Sequence, residues 1–285
     1  MKYEAPSITR RDGRPAMLTI FNNIDGVCET EALDATVRAL EPLVTGDFTV
    51  IYNIWSRPLP QVPGDKILIL TSYEEGLPVP RHFVDDPSIK HIFKHYFSDA
   101  GEDGKVHPLP LPYVQGVTFV EPAAQTPVLR RPVDYFFSGC RSAPRVALEA
   151  TLAEHQRSAA SKGVVRWYDG WNNGLPKADY SRHMADAKIA ICPYGQINTE
   201  TFRFTEAAAN GCVIVTSSKP ARSFYPAHSF VALDDWSRIG SVLDELLSAP
   251  ARLTALQRAA QDLWTRHLSP PAVAAAMAAV LSGAG

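Results

Sequence analysis

Arg203 and Glu206 stand three residues apart inside the stretch YGQINTETFRFTEAAANGCVIVT, Tyr194 to Thr216. The stretch reads as a strand end, a loop, a helix and a second strand. Residues three apart share one helix face, so a guanidinium and a carboxylate lie side by side in the first two turns. On spacing alone the pair is also an ordinary surface salt bridge of little energetic value. The loop before it, with Tyr194, Gly195, Gln196, Asn198 and Thr199, brings main-chain N–H groups to the positive end of a helix, a ready anion site. An arginine there suits phosphate, and a carboxylate one turn further suits a vicinal diol such as a ribose. Together they describe a nucleoside diphosphate. The core-like KIAIC before the loop and the small AAA at 207–209 place it at the carboxyl end of a buried strand.

One unit earlier, FFSGCRSAPR (136–145) repeats the arrangement: a strand, Ser138 and Gly139, a basic Arg141, then a helix start. It lacks the glycine spacing of a dinucleotide fingerprint and the Lys-Ser/Thr pair of a P-loop. Alone it is a plain βα turn with surface arginines. Beside the loop at 195–199 it gains meaning, because both turns open to the same sheet edge. Other groups have plainer readings. His91 and His95 have the i,i+4 spacing of a zinc pair but no glutamate between them, and read as a packed or exposed pair. Trp55, Tyr96 and Tyr113 could line a sugar cleft, though lone aromatics are mostly core. Trp167, Tyr168, Trp171 and Asn173 follow a strand, where a base could stack. Asp234 and Asp235 could meet a donor hydroxyl, but one of them suits the cap of the helix starting near Ser237.

The elements that must position these groups alternate between strand and helix. Strands are expected at 17–23, 47–55 and 66–73, with a helix over 29–43; KILIL is a continuous apolar run of the kind buried on both sheet faces. Residues 87–97 fit either a strand or a short helix, and 105–114 is proline-rich and extended. Residues 115–132 read as a connection. Beyond it, strands at 133–139, 164–170, 188–195, 212–217 and 229–236 alternate with helices at 145–162, 179–187, 199–210 and 237–248, and two more helices follow at 251–267 and 270–282. Such alternation predicts parallel sheets with helices on both faces. It divides the chain into domains 1–128 and 129–285, with ligands at the strands' carboxyl ends.

Composition sets outer limits. Net charge is −2 over 285 residues, so no global basic field argues for nucleic acid. The four cysteines have no C-x-x-C spacing and read as small apolar residues of a reducing compartment. No apolar run resembles a signal peptide or reaches the ~18 residues of a membrane span. The expectation is a cytoplasmic protein; peripheral contact with the inner face of a membrane would need only a local patch.

Residues 130–240 resemble the C-terminal half of the exostosin-like (GT47-type) glycosyltransferases. The likeness rests on DYFFSGCR, on YSRHMADAKIAICPYG, on RFTEAAANGCVIV with Arg203, Glu206, Gly211 and Cys212, and on the Asp235–Trp236 pair. It implies a GT-B fold of two Rossmann-like α/β domains facing a cleft. It implies also a nucleotide-sugar donor held mainly by the second domain, through Ser138, Gly139, Arg141, Tyr194, Gly195, Asn198, Thr199, Arg203 and Glu206. The acceptor would be a carbohydrate or another hydroxyl compound. Many retaining GT-B enzymes carry a glutamate eight positions before the second one; here that position is Asn198, which points to an inverting enzyme. Metal-dependent glycosyltransferases commonly use D-x-D, which this chain lacks, so no metal or other cofactor is expected. Basic side chains and helix N-termini would stabilise the leaving diphosphate. Inversion needs a general base near the acceptor hydroxyl; Asp25 in NNIDG comes first, then Glu74 and Glu75 in TSYEEG. Asp25 is equally an ordinary turn former before Gly26. Alternatives are a retaining transferase or phosphorylase of the same fold, or a non-catalytic nucleotide- or sugar-binding module.

Overall fold

A computed structural model describes the chain except residues 1–16, 25, 55–56, 72–76, 98–102, 159–160, 171–172, 196–198, 220–221 and 284–285. It divides into two compact units, residues 1–115 with 269–285, and residues 116–268. Each is a five-stranded parallel sheet with helices packed on it. The α/β class with parallel sheets expected from the alternation is the architecture observed.

The first unit runs β1 (Leu18–Asn22), α1 (Thr30–Leu40), β2 (Phe48–Asn53), β3 (Lys66–Leu70), a single helical turn α2 (Arg81–Val84), β4 (Ile89–Lys94) and β5 (Val106–Pro108), and its sheet keeps that order. Central β3 is buried along its whole length, as its unbroken KILIL requires. The stretch 87–97 resolves as a strand because β4 pairs with β3 on one side and β5 on the other. Leu33, Val37 and Leu40 repeat at helical spacing on α1 and bury into the core over β2 and β3.

The second unit contains β6 (Val133–Cys140), α3 (Val146–Ser158), β7 (Gly163–Tyr168), α4 (Lys177–Asp186), β8 (Ala187–Cys192), α5 (Phe202–Ala209), β9 (Val213–Thr216), β10 (Val231–Ala232), α6 (Ile239–Leu247) and α7 (Pro250–Leu263). Its sheet order is β10-β9-β8-β6-β7. Leu148 and Leu152 of α3 and Ile239, Leu243 and Leu246 of α6 cover the face that carries Tyr135, Phe137, Ile189, Ile191, Val213 and Val215.

The units divide differently from the expected 1–128 and 129–285. Residues 116–132 belong with the second sheet, where the Val128 N–H donates to Gln257 Oε1 at 2.8 Å. Buried Arg131 reaches the carbonyls of Ala187 at 2.8 Å and Asn210 at 2.7 Å. At the other end, α7 runs into a π-helical turn, Trp264–Leu268. The last helix, α8 (Pro270–Leu281), then returns to the first unit, where Val273, Ala274 and Met277 join its core.

Candidate functional site

The carboxyl edge of the second sheet gathers three cations. Arg203, from the first turn of α5, lays its guanidinium over the Phe137 ring at 4.8 Å and donates through Nη2 to the Ser138 carbonyl. Its Nε is buried and has no hydrogen-bond partner. Arg145, in the turn before α3, is 7% exposed. It donates from Nε and Nη2 to the Tyr194 carbonyl at 2.9 and 2.8 Å, and from Nη1 to the Cys140 carbonyl at 3.0 Å. Lys219, just past β9, donates to the Thr199 carbonyl, and its ammonium lies 4.8 Å from the Phe204 ring centroid. Burial pushes this lysine down to about 8, opposed by the nearby Cys192 and Glu200. Main-chain carbonyls carry no net charge, so these bonds serve to orient the cations.

Local sequence explains why the three converge. Gly139 is the residue at which β6 leaves room: a Cβ there would stand 2.9 Å from Arg203 Nη2, 2.9 Å from Phe137 Cζ and 3.4 Å from Arg145 Nη1. Any side chain at 139 would occupy the space of the guanidinium groups. Helix α5 starts after Thr201, whose hydroxyl is buried without a partner, and its N-terminal N–H groups add partial positive charge at the same edge. Gly211, at φ +58°, closes the helix in the left-handed conformation, so that only Cys212 stands between it and β9.

Glu206 is 3% exposed and accepts a 2.6 Å hydrogen bond from the Tyr180 hydroxyl of α4. Burial and this carboxylate hold Tyr180 well above the usual phenol range, so the hydroxyl stays a donor. Arg203 and Glu206 thus each have other partners, and the plain i,i+3 surface pair is not what they form.

The remaining expected donor residues are placed unevenly. Ser138 and Gly195 are buried, and Tyr194 and Thr199 half-buried, at this same edge. Arg141 turns outward: its side chain is 47% exposed and pairs with Glu149 at 2.9 Å and Asp169 at 3.1 Å. Asn198 and the three expected bases, Asp25, Glu74 and Glu75, lie outside the described residues, as do Trp55 and Trp171. Arg145 and Lys219 are additions. Arg145 lies in the SAPR turn four residues after Arg141, and the sequence alone does not distinguish the two arginines. Lys219 follows a strand end, and only the fold brings it beside Thr199.

Other readings resolve simply. Asp235 caps the turn at Trp236–Arg238 by accepting from the Ser237 N–H at 3.1 Å, and Asp234 holds Ser218. Tyr96 and Tyr113 are buried, and Trp167 packs tilted against Phe137 with centroids 4.4 Å apart. His91 bonds His107 of β5 at 3.3 Å instead of pairing with His95. Among the described residues no three His, Cys, Asp or Glu side chains cluster to hold a metal, and no helix is long and apolar enough to cross a membrane.

With this geometry in place, comparison with known proteins bears on the fold. No protein-family model and no curated protein sequence matches the chain. Among solved structures, the chain is similar to a glycosyltransferase from Rickettsia africae ESF-5, with TM-score 0.56 and 10% identity over 95% of this chain and 98% of that one. It is also similar to an alpha1,3-fucosyltransferase, with TM-score 0.51 and 10% identity over 98% and 93%, and to an alpha1,3-fucosyltransferase with GDP, with TM-score 0.51 and 11% identity over 98% and 94%. Each similarity extends over nearly both chains, so both α/β units take part in it.

Proposed function

We propose that the protein is a glycosyltransferase whose second unit binds a nucleotide-sugar donor and whose acceptor is a carbohydrate or other hydroxyl compound. The observation that carries this reading is the convergence of Arg145, Arg203 and Lys219 at one carboxyl edge, beside the N-terminus of α5. Departure of a nucleoside diphosphate concentrates negative charge on phosphate oxygens, and fixed cations aimed there lower the barrier most. Phosphate would meet Arg203, Arg145 and Lys219, and the ribose would meet Glu206. In this reading the cations do the work of a metal, in keeping with the missing D-x-D. Asn198, where many retaining relatives of this fold carry glutamate, supports inversion, with Asp25, Glu74 or Glu75 as base. The Arg203–Glu206 and Gly211–Cys212 pattern keeps the exostosin-like group as the nearest family reading. Free cysteines suit a reducing, cytoplasmic setting.

A thermal-shift panel of uridine, guanosine, adenosine, cytidine and thymidine diphosphates tests the donor half. GDP goes first, because one neighbouring fucosyltransferase structure carries it. A bound diphosphate at a hundredfold excess over its dissociation constant stabilises by ~2.7 kcal/mol. The response should centre on one nucleotide and vanish in Arg203→Ala. If every diphosphate leaves the melting temperature unchanged, the reading fails. Tight binding with no transfer to any hydroxyl compound offered would point instead to a binding module.

A further inference from the structure

The carboxyl edge of the first sheet treats its polar groups in two ways. At β1 and β2 they are used up locally: Asn23 Nδ2 donates to Asn53 Oδ1 at 2.7 Å and to the Pro58 carbonyl at 3.0 Å, while Asn53 Nδ2 donates to the Arg57 carbonyl at 3.0 Å. One strand further the pattern stops. Thr71, following β3, is 5% exposed, and His95, following β4, is 1% exposed. Neither the threonine hydroxyl nor either imidazole nitrogen has a hydrogen-bond partner.

The two residues are neighbours. Leu70 pairs with Lys94 in the parallel ladder, and the His95 N–H continues it to the Leu70 carbonyl at 3.2 Å. Thr71 and His95 therefore occupy the next matched positions, where side chains of adjacent strands fall on the same sheet face. Tyr96, immediately after, holds φ +50°, the one positive-φ residue besides glycines among the described residues. This conformation is costly for a bulky side chain, and it turns the backbone directly after His95. A buried polar group left unpaired costs about 1–3 kcal/mol. Here three such atoms belong to two residues at matched positions just after β3 and β4.

We propose that Thr71 and His95 form a hydroxyl-binding subsite for the sugar acceptor, the imidazole accepting a hydrogen bond from one acceptor hydroxyl while its N–H and the Thr71 hydroxyl meet neighbouring oxygens. A pyranoside fits this demand, since each of its hydroxyls both donates and accepts. Burial holds His95 down to about 3, so the ring is neutral at physiological pH and keeps one acceptor nitrogen. The word acceptor rests on the transferase reading above; the binding of a polyhydroxylated ligand does not.

The test uses the full chain, His95→Leu and Thr71→Val, with a panel of methyl pyranosides of glucose, galactose, mannose, fucose and xylose. The histidine ring resonances of 15N-labelled protein are followed through each titration. At least one glycoside should shift the His95 ring signals, and both variants should weaken that glycoside at least tenfold. Both should also melt no lower than the parent, because each removes an unpaired buried group. Diphosphate binding, measured in parallel, should be unchanged in the variants. The proposal is overturned if no glycoside moves the His95 signals, which would leave a buried water as its partner. It is overturned too if the variants bind the glycoside as well as the parent, or if both melt below it. Loss of diphosphate binding in the parent would instead remove the donor reading, and the glycoside arm would still decide this one.

Discussion

Lys219 shows what burial does to a cation. Its ammonium sits against Phe204 and Tyr225 and donates to the Thr199 carbonyl. Desolvation brings it from 10.5 to about 8, because a buried ammonium loses hydration that an aromatic face restores only in part. Two consequences have definite signs. Between about 8 and 10.5 the unfolded chain binds the extra proton and the folded chain does not, so this group makes stability rise with pH across that window. Under the donor reading, diphosphate binding should run the other way. Above pH 8 the free protein increasingly lacks the Lys219 charge, and the dissociation constant should rise up to tenfold per pH unit. Calorimetric titration of the responding diphosphate from pH 6.5 to 9.5 checks this, and Lys219→Met should bind more weakly and lose the break near 8. A break that survives in Lys219→Met would assign it to another group. The lysine was not legible in the sequence, since nothing in TSSKPAR ties it to a loop twenty residues back.

Among the elements, the β6–α3 turn does the most positioning, and its glycine is the reason. Arg203 comes from α5 and Arg145 from the next turn along β6, yet both guanidinium groups lie against Gly139. Gly139→Ala places a methyl 2.9 Å from Arg203 Nη2 and from Phe137 Cζ, closer than real contacts allow. The arginine can swing away more easily than the buried Phe137 ring, so binding should suffer more than folding. The expected outcome is a loss of diphosphate affinity of tenfold or more, with an overpacking cost of ~1–3 kcal/mol. Chemical denaturation and calorimetry on the one variant separate the two effects; unchanged affinity with lost stability would show that the turn only supports the core. The end of β6 at Ser138–Gly139 and the loop before α5 could be read from sequence because each shows its element pattern locally. The choice of Arg145 over Arg141 could not, because both are arginines in one turn. Only the fold shows that Arg141 reaches Glu149 and Asp169 on the surface while Arg145 turns inward to Tyr194.

On the scale of the whole chain, the surprise is where the last helix belongs. Strand–helix alternation is a local signal, and it assigned everything after residue 128 to the second unit. α8 breaks that rule: it leaves the second unit after Leu268 and packs on α1, and its PPAVAAAMAAVL carries little to distinguish one partner from another. What fixes its place is complementarity, with Val273, Ala274 and Met277 entering the core of Leu33, Val37 and Leu40. Fully burying a side chain the size of Val or Met contributes about 1.5–3 kcal/mol, so Val273 and Met277 alone supply ~3–6 kcal/mol. A domain of this size has about 5–15 kcal/mol in total, and the first unit therefore depends on a segment more than 150 residues away in sequence. Ending the chain after Leu268 should lower the stability of the first unit by at least that amount, and any diphosphate response of the second unit should stay in place. Met277→Ala, a milder change, should cost about 2–5 kcal/mol. Urea denaturation followed by hydrogen exchange in each sheet separates the units. Equal loss of protection in β2 and β8 would mean that α8 supports both, whereas loss in β2 alone makes it the closing element of the first.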